Sequence, residues 1–495
     1  MSEPLYGRVA DLAVRYLMDP PRGDDRVVEF TSPDELVAAF ETTVGLALGA
    51  DEPAHDADAM VAAAEQVVRY SMHTGHPRFL NQNFAGSDPV AVVGDWLTSV
   101  LNSTTTTFEV APVFTLMETA LLDKLASVAG YPVDTSQGAP PPGLFCPGGS
   151  TGTLYALQLA RHRHQPDVIV RGAGPDRLVL FVSASGHYSA RKSAALLGLG
   201  TDAVVEVATT PDGAMVPSAL GEAIADARGR GLTPFAVIAT AGTTVTAAFD
   251  PIDAIADICG ADDIWLHVDG CYGGSALFSG PRRFLLAGVE RSDSFVWDLH
   301  KMMGMTQQCT ALLVREPERL RSCFSIGADY LFQPDKQFAD HDLGDRTFQC
   351  GRRVDALKLW LAWKSHGDEG FAARIEHAVA MADHARSVID ASDGVFSALV
   401  HTGFTNVVFA WVPPEHRPLD LAALDAGARD RLHRLAPRIK SRMQQEGTAM
   451  VGYQPVHGIN TFRLLFMNPE VTTGDVDAVL GHLARYGAEE WAELE

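Results

Sequence analysis

A chain of 495 residues, 46% hydrophobic and 20% charged, is too long for one hydrophobic core and has the composition of a globular protein with more than one domain. Its formal charge of −23 argues against a nucleic-acid partner, because no basic stripe exists to displace counterions from phosphates. No apolar run reaches the roughly 18 residues of a membrane span, and the opening MSEPLYGRVADLAVRY lacks the basic-then-apolar order of a signal peptide. The six cysteines are scattered without CxxC pairs, so the expected setting is a reducing cytoplasm with neither a disulfide framework nor a metal site.

The first hundred residues are Ala-, Val- and Asp-rich with helical spacing, in SPDELVAAFETTVGLALG (32–49) and ADAMVAAAEQVV (57–68). Ser32 with Glu35 three residues on predicts a capping box. DTSQGAPPPG (134–143) is turn-rich and predicts a surface loop. From there to about 315, short apolar runs alternate with helical patterns. The predicted strands are LVLFVSA (178–184), AVVEVA (203–208), FAVIATA (235–241), IWLHVD (264–269), SFVWDL (294–299) and TALLVR (310–315). Runs this apolar suit strands covered on both faces, hence a largely parallel sheet with helices on either side. A helical stretch over 354–367 leads into a helix over 371–391, strands NVVFAWV (406–412) and TFRLLFM (461–467), and a terminal amphipathic helix over 473–494. The expected organisation is an N-terminal helical segment (1–100), a large domain (101–365) and a small C-terminal α+β domain (366–495).

In such sheets ligands collect beyond the carboxyl ends of strands. His187 follows the first predicted strand, Thr244 the third, Asp269 ends the fourth, and His300 and Lys301 follow the fifth. A lysine there is desolvated, which lowers its pKa and favours imine formation. A carboxylate such as Asp269 could keep a pyridine nitrogen protonated, so that the ring acts as an electron sink. An imidazole such as His187 could stack on that ring. PGGSTGTLYALQLAR (147–161) sets a glycine pair, Ser150, Thr151 and Thr153 at the opening of a helix, a place that suits a phosphate. Each feature alone has a plainer role: a surface lysine, a turn-capping Asp, a loop histidine, a capped helix. Together they meet the four needs of pyridoxal 5′-phosphate (PLP).

These residues stand in stretches that carry a family resemblance: HPRFLNQ (76–82), EVAPVFTLME (109–118), FCPGGS (145–150), GHYS (186–189), IWLHVD (264–269), HKMMG (300–304), YLFQPDKQF (330–338), QCGRRVDALKLWLAWK (349–364) and TFRLLFMNP (461–469). From about residue 30 onward the chain resembles the group II PLP-dependent amino-acid decarboxylases, close to the glutamate and cysteine-sulfinate enzymes. The resemblance implies an α/β, fold-type I transferase-like architecture with a mostly parallel seven-stranded sheet. It also implies a homodimer, dimerised in part through the N-terminal segment, with active sites at the subunit interface. The implied reaction removes the α-carboxylate of a small polar L-amino acid. Carried over, Lys301 is the Schiff-base lysine, Asp269 the partner of the pyridine nitrogen and His187 the stacked imidazole. Thr244 and Asp250 support the site, and Gly149, Ser150, Thr151 and His300 hold the phosphate. Arg463 either holds a substrate carboxylate or is a structural arginine of the small domain.

The chain also departs from the family. Relatives carry a mobile loop whose tyrosine protonates the α-carbon after CO2 leaves. Here that loop is KQFADHDLGDR (336–346), one residue short, with Phe338 at the tyrosine's position and no O–H to donate. Another group, His341 or His187, then supplies the proton and the product is an amine, or O2 intercepts the carbanion and the products are an aldehyde, ammonia and CO2. Losing one general acid is worth about 10²–10⁴-fold, enough for a side reaction to take over. A third reading gives the tyrosine's part to Tyr330. Gly270 and Cys271 replace alanines after Asp269, so the thiol lies either under the ring or simply in the core. Asp298 stands where many relatives have asparagine, which bears on the phosphate contacts. Gln82, Asn83, Phe84 and Thr104 to Thr106 suggest a polar, roomier substrate end and a specialised biosynthetic enzyme rather than a strict glutamate one. An aminotransferase or β-eliminating lyase is the alternative on the same fold, and a non-catalytic relative is another. The YLFQPDKQF and QCGRRVD motifs weigh against the first, and retention of Lys301, Asp269 and His187 against the second.

Overall fold

A computed structural model describes residues 5–51, 53–136, 138–328, 330–333 and 335–494. Gln137 of the turn-rich segment and Pro334 of the YLFQPDKQF motif lie outside the described residues. The chain packs as two units, one of Ser87–His377 and one of Met1–Gly86 with Ala378–Glu495.

The unit Ser87–His377 is built on a seven-stranded sheet. Its strands are β1 (Gly143–Cys146), β2 (Leu178–Ser183), β3 (Val204–Val207), β4 (Thr233–Thr240), β5 (Trp265–Asp269), β6 (Ser294–Asp298) and β7 (Thr310–Val314). They lie in the order β1-β7-β6-β5-β4-β2-β3. β2 to β6 are parallel neighbours, β7 runs antiparallel to β6, and β1 antiparallel to β7. This is the mostly parallel α/β sheet of fold-type I that the sequence led us to expect. Every residue of β2, β5, β6 and β7 is buried, which is why those segments read as unbroken apolar runs rather than alternating ones. β3 lies at the sheet edge and keeps Glu206 exposed. The six predicted strands are all present, and β1 is added to them. Its four residues sit between a proline-rich turn and Pro147, too short for a periodic signal.

The helix α1 (Gly149–His164) lies directly on this sheet. A Cβ at Gly152 would come within 2.4 Å of Val296 Cγ2 on β6, so only glycine permits the approach. Leu144, Tyr155, Leu159, Leu180, Ile238, Trp265 and Val296 share the core beneath it. Each such side chain contributes about 1.5–3 kcal/mol on burial, and that packing fixes where α1 begins.

The other unit holds a five-stranded sheet in which Phe79–Leu80 pairs in parallel with Met450–Val451, followed by Ile459–Leu465, Asn406–Trp411 and Phe396–Ala398. The capping box of Ser32 and Glu35 is present, but the helix it opens ends at Glu41, short of the helical pattern read through residue 49. Thr42 and Thr43 turn their hydroxyls back to the carbonyls of Ala39 (2.7 Å) and Phe40 (3.0 Å), and Gly45 takes a φ of 71°. Local side-chain bonds of that kind compete with helix propagation. The helices expected over 354–367 and 371–391 meet at Gly367, whose φ of 64° interrupts the helical path. Among the described residues, no helix is long and apolar enough to cross a membrane, no group of three His, Cys, Asp or Glu could hold a metal, and all six cysteines are free.

Candidate active site

The carboxyl ends of β2, β4, β5 and β6 converge on the start of α1, as parallel neighbours must. Around them lies a cavity enclosing about 500 Å³ of empty space, part of it open to solvent. Of the residues singled out in the sequence, Gly149, Ser150, His187, Thr244, Asp269, Cys271 and Lys301 line it. So do Ser189, Thr240, Gly242, Tyr272 and Asp298.

Asp269 ends β5, and its Oδ1 accepts from the Cys271 amide at 3.1 Å, which fixes the carboxylate at the strand tip. Lys301 lies three residues past the end of β6, and its Nζ pairs with Asp298 Oδ2 at 2.9 Å. Burial works against the ammonium, but the carboxylates of Asp298 and Asp269 outweigh it and raise the lysine pKa, the reverse of the lowering expected from desolvation alone. His187 Nδ1 accepts from the Ser189 amide at 3.3 Å, and the ring packs on Tyr188 with centroids 4.1 Å apart. Burial, assisted by Lys301, lowers the imidazole's pKa despite Asp269, so the ring is neutral at pH 7. At the start of α1 a Cβ on Gly149 would lie 2.1 Å from Cys271 Sγ and 3.1 and 3.2 Å from the Asp298 oxygens. The cavity wall there is therefore bare backbone at a helix N-terminus, with no side chain capping it.

Asp250 stands behind the wall. It accepts from the amides of Thr240 (2.7 Å) and Met215 (2.6 Å) and so holds the end of β4, while burial pushes its carboxyl up to about 6. Thr151 turns its hydroxyl to the Pro147 carbonyl at 3.1 Å. His300 Nδ1 lies 3.0 Å from the Cys309 carbonyl and Nε2 3.8 Å from Asp298, one step back from the cavity. Phe338 and His341 cluster on Phe108, with ring centroids at 5.4 and 5.2 Å, away from the cavity-lining set. Thr104 and Thr106 share a 3.2 Å hydrogen bond, and Thr104 also donates to the Arg352 carbonyl. Gln82, Asn83 and Arg463 belong to the other unit, where Arg463 Nη2 donates to the Asn81 carbonyl at 2.7 Å. Sequence reasoning passed over Ser189, Thr240 and Tyr272, and weighed Asp298 only as a departure. Their common signal is a polar residue at or just after the tip of a buried strand.

The family model for the pyridoxal-dependent decarboxylase conserved domain matches residues 43–412. The chain belongs to the pyridoxal-dependent decarboxylase family. Among curated relatives of this decarboxylase, cysteine sulfinic acid decarboxylase of Rattus norvegicus is 42% identical over 489 residues, covering 98% of this chain and 95% of that protein. The acidic amino acid decarboxylase GADL1 of Bos taurus is 41% identical over 468 residues, covering 94% and 87%. The crystal structure of mouse CSAD superposes with a TM-score of 0.91 at 39% identity, covering 98% of each chain. The cofactor of this decarboxylase is PLP. The residues present fit it: an amine, a carboxylate and a neutral imidazole line one cavity with a side-chain-free helix start. The buried Thr240 hydroxyl, which has no hydrogen-bond partner among the described residues, lines the same cavity and offers one more donor.

Proposed function

We propose that this decarboxylase removes the α-carboxylate of a small acidic L-amino acid and releases CO2 and the corresponding amine. The observation that carries the reading is the convergence of Lys301, Asp269 and His187 on one cavity at the start of α1. When bound, PLP supplies an electron sink for the pair left behind as the bond to the carboxylate breaks. Lys301 would hold the cofactor through its amine, and Asp269 would keep a proton at the pyridine nitrogen. His187, neutral and therefore free of repulsion toward Lys301, would lie against the ring. Ser150, the amides of the first turn of α1 and the Thr240 hydroxyl would bind the phosphate, with Thr151 and His300 supporting from behind and Asp250 fixing the end of β4. Cys271 would fill the floor as a neutral thiol, its pKa pushed well up by burial.

The acidic substrate class draws on the relatives, which are named for cysteine sulfinic acid and acidic amino acids. Arg463, Gln82, Asn83, Thr104 and Thr106 are assigned to the substrate on the family resemblance. A homodimer belongs to the same proposal: the helices Pro89–Leu101 and Pro112–Ala129 expose Trp96, Leu97, Val100, Val113 and Leu116, an apolar surface that a second copy would cover. Six free cysteines suit a cytoplasmic setting.

A second reading keeps the bond cleavage but ends in an aldehyde and ammonia, with O2 as co-substrate. It is favoured by Phe338, which offers no O–H, and by the exposure of Tyr330, at 83%, which leaves that phenol without a built position. One experiment tests both. Purified holoenzyme is incubated with L-cysteine sulfinate, L-aspartate, L-glutamate and a panel of neutral amino acids while CO2, amine, ammonia, peroxide and O2 are followed. CO2 with amine and no O2 uptake supports the first reading, and O2 uptake with ammonia moves the conclusion to the second. No CO2 from any member of the panel overturns both.

A further inference from the structure

Asp298 is a buried carboxylate that the reading above leaves without a task. It ends β6 with 4% of its side chain exposed, and its two oxygens are committed separately. Oδ1 accepts from Thr310 Oγ1 at 2.6 Å, and Oδ2 faces Lys301 Nζ at 2.9 Å. The Thr310 bond anchors the carboxylate to β7, so it cannot turn away from the lysine without losing a hydrogen bond in a dry site. Lys301 is thus an ammonium paired with a buried, anchored anion.

We propose that Asp298 is the counter-ion of Lys301 through cofactor attachment: it pairs with the ammonium beforehand and with the protonated attached nitrogen afterwards, and so holds a proton on that nitrogen. The inference rests on Lys301 being the attachment residue. The step balances. Ammonium and aldehyde give one water and a nitrogen doubly bonded to carbon that still bears one proton and the single positive charge, so nothing is exchanged with solvent. Asp298 then faces a cation before and after attachment and is never left as an uncompensated buried charge, which would be costly.

The other titratable groups facing this pair bring no competing charge. Burial pushes the thiols of Cys271, Cys146 and Cys309 up and the imidazoles of His300 and His187 down, so all five are neutral at pH 7. Asp269 is the remaining anion that acts on Lys301, and its effect is smaller than that of Asp298. For Asp298 itself burial acts upward, but the Lys301 ammonium and the Thr310 hydroxyl outweigh it and keep the carboxyl below its ordinary range. The attached nitrogen is therefore expected to keep its proton well above neutral pH.

The test is a pH titration of the visible absorption band of the holoenzyme, which marks the protonated form of the attached nitrogen, in wild type and Asp298→Asn. An opposite charge at this separation shifts a pKa by roughly one to three units. The Asn variant should accordingly lose the band at a hydroxide concentration about 10- to 1000-fold lower than wild type does. Superimposed titrations overturn the proposal. So does a wild-type band already half lost near neutral pH, a result that needs no variant to fold. Borohydride reduction and peptide mapping separate this inference from the assignment beneath it. Label on a lysine other than Lys301 overturns both, and label on Lys301 with an unmoved titration overturns the role of Asp298 alone.

Discussion

The closest approach in the cavity wall makes a quantitative prediction. In Gly149→Ala the added Cβ would lie 2.1 Å from Cys271 Sγ and 3.1 and 3.2 Å from the Asp298 oxygens. Neither neighbour is free to give way, since Cys271 is in the core and Asp298 is tied to Thr310 and Lys301. Overpacking of this kind costs about 1–3 kcal/mol. Alanine's better helix propensity offsets it by at most about 1 kcal/mol, and less at a helix start, so the steric cost wins. A cavity wall displaced toward the phosphate site should weaken PLP binding by roughly 5- to 150-fold. The assay is fluorescence titration of PLP into cofactor-free protein for wild type, Gly149→Ala, Cys271→Ala and the double variant. Removing the sulfur relieves the worst contact but leaves the Asp298 oxygens, so the double variant should recover much of the loss. If Gly149→Ala weakens binding equally in the wild-type and Cys271→Ala backgrounds, the steric account is refuted.

Other consequences can be checked alongside. Arg352 and Glu118 form a buried pair at 2.6 Å with 4% and 3% of their side chains exposed. Glu118→Leu strands the guanidinium and should cost about 3–5 kcal/mol in denaturant unfolding, whereas a loss under about 1 kcal/mol would mean Arg352 finds another partner. Asp250, held at about 6 against an ordinary 3.8, takes up a proton on folding between those values. Its contribution to stability is complete below the lower value and is lost as pH rises through the upper one, about 3 kcal/mol in all. The stability of Asp250→Asn relative to wild type should therefore rise by that order between pH 4 and pH 7, and a flat difference would refute the assignment. Val100, 81% exposed on its helix, should be covered by the second copy, so Val100→Asp should shift sedimentation toward the monomer at micromolar concentration. Phe338→Tyr should move product from aldehyde to amine wherever aldehyde is formed, and identical product ratios would rule out the loop's part in protonation.

Much of this was legible in the chain because the physics is local. The buried parallel strands announce themselves as apolar runs, and their tips carry the polar residues that meet in the cavity. That Lys301, Asp269 and His187 meet in one cavity could therefore be read from their places at the strand tips, whereas their roles came from the family resemblance; β1 was lost because four residues carry no period. What the sequence could not convey is partnership. Asp298 looks like one more strand-end carboxylate until its 2.9 Å distance to Lys301 is known. Thr240 looks like core until its hydroxyl is found unpaired among the described residues. Thr151 shows the converse: a hydroxyl expected at the phosphate turns to the Pro147 carbonyl, because an early-helix threonine has a backbone acceptor within reach.

The ion pair between Lys336 and Asp342, at 2.7 Å with 14% and 6% of the side chains exposed, has a mechanical consequence. Asp342 also receives the Phe108 amide at 2.9 Å, so both ends of the intervening arch are pinned. Six residue steps of extended chain span about 20 Å, so the crown of an arch pinned at both feet rises no more than roughly 10 Å above them. Any longer excursion of Phe338 must start by rupturing that pair. The segment is thus a short tether whose reach is set by one buried ion pair.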